Sequence, residues 1–418
     1  MHGSPPPADA QVTLDNWQLP PYNRWSFSHM RELVPTQRIP RGQGPVTPLA
    51  TDLQPLGQIG LLRLSGAETT MDDVLGDTYT DAAVVVHAGR VVFERYAGQT
   101  APDTPHLLMS ITKSLVSCVV GNLVERGVLS PADLITDHLP ELARSGYRGA
   151  SLRNVLDMRS GVDFNEDYTD LNAEVRIIEE AMGWRPRSAR DVPSSMYAYL
   201  TTLGGAGSHG GIFDYRSCET DVLGWVCERA ADTRMADLIS SFVWSPIGAE
   251  RDAEMTCDRV GTAIHDGGMC ATARDLVRFG MMLLARGEVA GRQVTPAGWL
   301  AARIMGRRPG HPRRVRPVRI RAVPSRRLVP QQVLVRAEGA WRRPAVPRYQ
   351  RPDALRRPGD RHRGRQAVVL AGRSVASDAG GHAARVRRGR RDAGGHRRRR
   401  SEAARAAWSG GRPVPWPD

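Results

Sequence analysis

The chain changes character near residue 302, and that break limits which residues can build a packed domain. Arg, Gly, Pro and Ala supply 75 of the last 118 residues, Phe and Asn are absent there, and tyrosine occurs once, at Tyr349. No helical or strand period persists across the stretch. Such a segment buries too little apolar surface to offset its ordering entropy, so 302–418 is predicted to be a disordered tail. A packed fold must then come from 1–301, read as an irregular Pro-rich arm (1–50) and a domain over 51–301. The net charge of +14 divides at the same place: residues 301–418 hold 32 arginines against seven acids, whereas 1–300 hold 26 basic residues against 37 acidic ones. An arginine tail contacts polyanions without sequence preference, and Trp341, Tyr349, Trp408 and Trp416 offer little for base stacking. Nucleic acid is therefore not an expected partner beyond non-specific contact.

Other classes are narrowed by what the chain lacks. Cys118, Cys218, Cys227, Cys257 and Cys270 show no metal-ligand spacing, so neither a metal nor a cofactor is expected. Cys118 and Cys227 fall on apolar helical stripes and read as small buried residues. No charged-then-apolar leader opens the sequence, and no apolar run nears the roughly 18 residues of a membrane span. A cytoplasmic protein without membrane contact is the expectation.

Within the body, Ala82–His87 and Arg90–Tyr96 are β-rich runs around Ala88-Gly89, the pattern of a hairpin with a two-residue turn. Gly60–Leu64 reads as a short strand, and helices dominate from there on. Ser130-Pro131-Ala132-Asp133 reads as a helix start, Ser151 as a cap for Leu152–Met158, and Thr272-Ala273-Arg274-Asp275 as a capping box opening a helix through Leu284. Gly204–Gly211 lacks the spacing of a phosphate cradle and reads as a flexible turn.

The chemistry gathers at Met109-Ser110-Ile111-Thr112-Lys113-Ser114. An apolar run at helical spacing follows (Leu115, Val116, Val119, Val120, Leu123), so Ser110 opens a helix and Lys113 lies one turn on, along the same face. Of the 58 basic residues, Lys113 is the one lysine. A hydroxyl needs a base to become a nucleophile, and a desolvated lysine can act as one, whereas arginine stays protonated. Burial and the positive end of the helix both predict a neutral Lys113. Tyr215, which follows the glycine loop and precedes a helix, is a second group able to enter a cleft. Ser-x-x-Lys alone is a frequent spacing, so the pair gains its weight from the helix, the uniqueness of the lysine and Tyr215.

These residues resemble the serine hydrolases that share the β-lactamase and penicillin-binding fold. The resemblance is greatest to the branch containing 6-aminohexanoate-dimer hydrolases and related carboxylesterases. It extends over Asp81–Trp299 and includes Ser160–Tyr168, Thr220–Trp225, Trp244–Glu250 and Asp266–Met269 in order. It implies an α+β, β-lactamase-like fold: an antiparallel sheet flanked by helices, plus a helical subdomain. It also implies an acyl-enzyme on Ser110, with Lys113 and Tyr215 as acid and base, acting on a small ester or amide. The backbone N–H of Ser110 would supply one oxyanion donor and a strand near the C-terminus the second. Tyr168 matches a tyrosine that contacts substrate, and from the residues alone it is equally an aromatic packed in a loop. Ser217 stands in the substrate-binding Tyr-x-Asn position as Tyr215-Arg216-Ser217, a form common among the carboxylesterases that argues against lactam specialisation.

The family's Lys-Thr-Gly or His-x-Gly strand is not legible in 301–418, nor are the two further strands and helix that should follow Trp299. This leaves two other functions open, an inactive truncated product and a polyanion binder acting through the tail. The tail has the composition that a GC-rich gene yields when read out of frame. Shifting the nucleotide sequence by a base near codon 302 is therefore expected to expose a Gly-x-His-Gly-like strand and a terminal helix. A shifted translation without them would show that the arginine-rich tail is genuine.

Overall fold

The Ala88-Gly89 turn closes a hairpin whose strands run over Thr80–His87 and Arg90–Tyr96. Both turn residues take positive φ, 51° and 79°, which gives the turn a twist that matches its strands. The computed structural model describes residues 3–63, 65–188, 191–304, 335–336 and 367–373. In chain order its two larger sheets use β1 (Thr36–Ile39), β2 (Ala50–Thr51), β3 (Thr80–His87), β4 (Arg90–Tyr96), β5 (His106–Leu107), β6 (Ala253–Thr256), β7 (Met269–Ala271), β8 (Val335–Arg336) and β9 (Ala367–Arg373). One sheet has the order β8-β9-β3-β4-β2 and the other β1-β6-β7-β5. All pairs are antiparallel except β2 with β4. The Gly60–Leu62 strand forms a separate ribbon with Glu68–Thr70.

β3 is a continuous apolar run because both its faces are covered. Val84 and Val86 enter the main core, while Ala83 and Val85 pack with Phe93 in a smaller cluster on the other side. The main core is built around helices α1 (Thr112–Glu125), α2 (Leu152–Leu156), α3 (Ser217–Ala231) and α4 (Ala273–Leu284). Helix α1 buries Leu115, Val116, Cys118, Val119, Val120 and Leu123. Ser151 and Thr272 cap α2 and α4 by accepting the backbone N–H groups of Asn154 and Asp275. All five cysteines are free and buried. Among the described residues no helix is long and apolar enough to cross a membrane.

Four expectations need amendment. Residues 1–50 do more than lie over a neighbouring surface: Trp17, Phe27, Met30, Val34 and Ile39 belong to the main core, and β1 pairs with β6. Ser130–Asp133 is a turn, because the Asp133 carboxylate accepts the Ser130 N–H at 2.7 Å and the helix starts later, at Ile135–His138. Beyond Trp299, where no strand was legible, the described residues include β8 and β9. The six-residue run Ala367–Gly372 is too short to assign by periodicity, yet β9 pairs with β3 from Ala367↔His87 to Arg373↔Thr80. The rest of the expected tail, and with it the Lys-Thr-Gly or His-x-Gly strand, lies outside the described residues.

The fourth amendment concerns Gly204–Gly211, which is pinned rather than flexible. Ala206 and Gly207 donate to the Gly161 carbonyl, Gly210 to that of Arg159, and Asp163 to that of Gly204. Arg159 donates to the carbonyls of Gly210 and Gly211. His209 accepts the Gly161 N–H at 3.0 Å and meets the Arg148 carbonyl at 2.9 Å. A methyl group on Gly161 would land on the Gly207 carbonyl oxygen, whereas one on Gly204 would meet nothing. Gly161→Ala is therefore expected to cost about 1–3 kcal/mol of stability in a denaturant titration and Gly204→Ala close to nothing. Equal effects would show that the loop does not depend on this contact.

Candidate active site

Ser110 sits on a short 3-10 turn, Met109–Ile111, that leads directly into α1. Met109 is held at a positive φ of 47°, strain of the kind that turns store beside reactive groups. The turn is anchored to β7, where the Leu108 N–H donates to the Met269 carbonyl at 2.8 Å and the Met269 N–H to Thr112 Oγ1 at 3.2 Å. The two glycines before Met269 permit this approach. A side chain on Gly268 would collide with Thr256 and the Ile264 carbonyl, and one on Gly267 would press on Trp184.

Three predicted residues meet at one oxygen. Lys113 Nζ donates to Ser110 Oγ at 3.2 Å, and Tyr215 Oη donates to the same atom at 2.9 Å. The Lys113 ammonium lies 5.4 Å from the centre of the Tyr215 ring. One residue to which the sequence assigned no role completes the group. The Asp266 carbonyl accepts from Lys113 Nζ at 2.7 Å, and the Asp266 carboxylate lies 3.5 Å from it.

That carboxylate corrects the neutral-lysine expectation. Burial by itself pushes the Lys113 amine down, but the surrounding groups, Asp266 foremost, outweigh burial and hold the ammonium above its ordinary value. An isolated buried ammonium loses its proton, whereas one beside a carboxylate keeps it. Ser110 Oγ thus receives two donors, and the Lys113–Tyr215 pair could accept a proton only after losing one. That titration belongs to the pair rather than to either residue.

The two residues assigned to substrate converge on Glu166 instead of lying side by side on an open wall. Ser217 is buried; its N–H and hydroxyl donate to Glu166 at 2.7 and 2.5 Å. Tyr168 donates to Glu166 Oε1 at 2.8 Å, its ring carries the Arg176 guanidinium at 5.3 Å, and it keeps partial exposure. Ser217 therefore ties the Tyr215 segment to the 160–171 loop through Glu166. Burial, then Glu166, pushes the Tyr168 phenol well above its ordinary range, so it stays a donor. Beneath this, Arg216 donates to the Ser160 carbonyl at 3.0 Å, and burial raises the Glu219 carboxyl, which accepts from Ser160 Oγ, to about 7. Glu166 and Asp266 were inside quoted sequence blocks, but spacing gives no sign that either faces Lys113 or Ser217. Among the described residues no group of His, Cys, Asp and Glu is arranged to hold a metal ion.

Residues 71–317 match the Beta-lactamase family model. Over 305 residues the chain is 41% identical to a 6-aminohexanoate-dimer hydrolase of Paenarthrobacter ureafaciens, covering 72% of this chain and 75% of that protein. Among solved structures, a "Putative 6-aminohexanoate-dimer hydrolase" from Bacillus anthracis superposes with a TM-score of 0.66 at 29% identity, over 70% of this chain and 76% of that one.

Glu166 joins its loop to the start of α3 through two hydrogen bonds from Ser217, and losing a charged acceptor of buried donors costs about 1–3 kcal/mol. Glu166→Ala is expected to lower stability by that amount in chemical denaturation, with Glu166→Gln intermediate. An unchanged midpoint for the alanine variant would show that Glu166 does not make this tie.

Proposed function

The chain belongs to the beta-lactamase family, as a hydrolase with the β-lactamase-like fold, and from that premise we propose that it cleaves small amides or esters through an acyl-enzyme on Ser110. The observation carrying this reading is the convergence of Lys113 Nζ and Tyr215 Oη on Ser110 Oγ. Once the pair has lost a proton, it takes the Ser110 hydroxyl proton as Oγ attacks the carbonyl carbon. The ammonium form of Lys113, 3.2 Å from Oγ, stabilises negative charge developing there. The pair then returns the proton to the departing amine or alcohol, leaving Ser110 acylated. Water, deprotonated by the same pair, releases the acid.

The Ser110 N–H is proposed as one donor to the oxyanion; the second falls outside the described residues. Both relatives are named for hydrolysis of a 6-aminohexanoate dimer, which favours an amide substrate here. Tyr168, partly exposed and held as a donor by Glu166, is proposed to meet that substrate, while Ser217 acts indirectly by positioning Glu166.

A fluorophosphonate probe is expected to label the wild-type chain at Ser110 and to leave Ser110→Ala unlabelled. Tyr215→Phe, which keeps the ring and removes the hydroxyl, is expected to lower ester turnover by about 100- to 10,000-fold, the range typical of acid–base catalysis. Labelling that survives Ser110→Ala would remove Ser110 from the mechanism.

A further inference from the structure

Lys113 is one cation facing three carboxyl groups, Asp266, Asp221 and Glu166, and they are not equally provided for. Glu166 accepts three hydrogen bonds, from the Ser217 N–H, the Ser217 hydroxyl and Tyr168. Asp266 has the ammonium beside it. Asp221, wholly buried on α3, has one partner: its Oδ1 accepts the Asp266 N–H at 3.0 Å. Two buried oxygens, Asp221 Oδ2 and Asp266 Oδ1, have no hydrogen-bond partner among the described residues. They belong to the two residues that this N–H bond already joins. An ionised carboxylate with a single donor is among the costliest groups to bury, and it commonly takes up a proton instead.

We propose that Asp221 is a positioning residue that works as a neutral acid: its Oδ1 takes the Asp266 N–H, its Oδ2 hydroxyl donates to Asp266 Oδ1, and the Asp221–Asp266 pair therefore presents one carboxylate charge to Lys113 rather than two. The inference rests on the hydrolase reading for its consequence, although the proton itself does not depend on turnover. Besides Lys113, Asp266 and Glu166, the titratable groups facing Asp221 are Tyr147, Tyr197 and Cys218. None of those three supplies a positive charge. Burial and the neighbouring Asp266 charge both push the Asp221 carboxyl well above its usual range, against the pull of Lys113. A second negative charge there would hold the proton on the Lys113–Tyr215 pair more tightly and leave less of the pair in its basic form at neutral pH.

Infrared spectra of the intact chain at neutral pH, taken in water and in deuterium oxide, test the proton directly. The wild type is expected to show an isotope-sensitive carboxylic-acid carbonyl band that is lost in Asp221→Asn and retained in Glu219→Gln. A wild type without any band that Asp221→Asn removes overturns the proposal, whether or not the chain is active. The kinetic arm uses the acid limb of kcat/KM for an ester substrate. Asp221→Asn, which keeps an acceptor for the Asp266 N–H and a donor to Oδ1, is expected to leave the limb in place. Asp266→Asn removes the remaining charge and should move it to lower pH by about 1–3 units. A comparable downward shift in Asp221→Asn would mean that Asp221 is ionised, and would sink the idea. Asp221→Ala is expected to lower kcat with KM little changed, and the asparagine variant to restore it. Failure of Ser110 labelling would count against the hydrolase reading alone.

Discussion

A buried ammonium governs this site. Lys113 is far enough from solvent that its charge must be matched locally, and the Asp266 carbonyl and carboxylate match it. That requirement constrains the backbone around it. Residues 264–269 lie against the Met109–Ile111 turn and fasten β7 to the start of α1, while Thr256 and Ile264 leave no room for a side chain at Gly268. The lysine then lies where it can donate to Ser110 Oγ, and that hydroxyl is held by the same contacts that satisfy the charge.

The third member of the group arrives from a different part of the fold. Tyr215 comes at the end of a glycine-rich segment that a sequence reader takes for slack chain. Its position is instead fixed twice. Upstream, the backbone of 158–163 and the side chains of Arg159 and His209 hold the glycine carbonyls and amides. Downstream, Ser217 binds Glu166 and begins α3. Glycine serves here because two backbones lie too close for a Cβ, so conformational freedom is not its use at Gly161 and Gly146.

Much of this architecture was legible from short-range patterns. The hairpin was written in two β-rich runs and an Ala-Gly turn, and α2 and α4 in their Ser and Thr caps. Ser110 and Lys113 were written in a three-residue spacing on an apolar helix, because these features depend on chemistry within a few residues. The charge state of Lys113 was not legible. It depends on Asp266, 153 residues away, and a spacing argument that sees burial without the counter-charge predicts the wrong sign. The Ser217–Glu166 contact was out of reach for a similar reason: the motif position points to substrate, and spacing gives no sign that the hydroxyl donates to a residue 51 positions away. The buried arm residues Trp17 and Phe27 and strand β9 were not legible because their partners lie far along the chain, as Trp184 does for Trp17 and His106 for Phe27, or because the run is too short to show a period.

By itself the sequence brought out the candidate nucleophile Ser110, the one lysine in the chain beside it, and the family whose blocks surround them, since all three are carried by residue type and local spacing. The tertiary structure decided which proton the lysine keeps, which loop delivers the tyrosine, and which acids stand behind them. Those outcomes depend on distances between segments remote in the chain, and electrostatics in a buried site is set by such distances and not by order along the sequence.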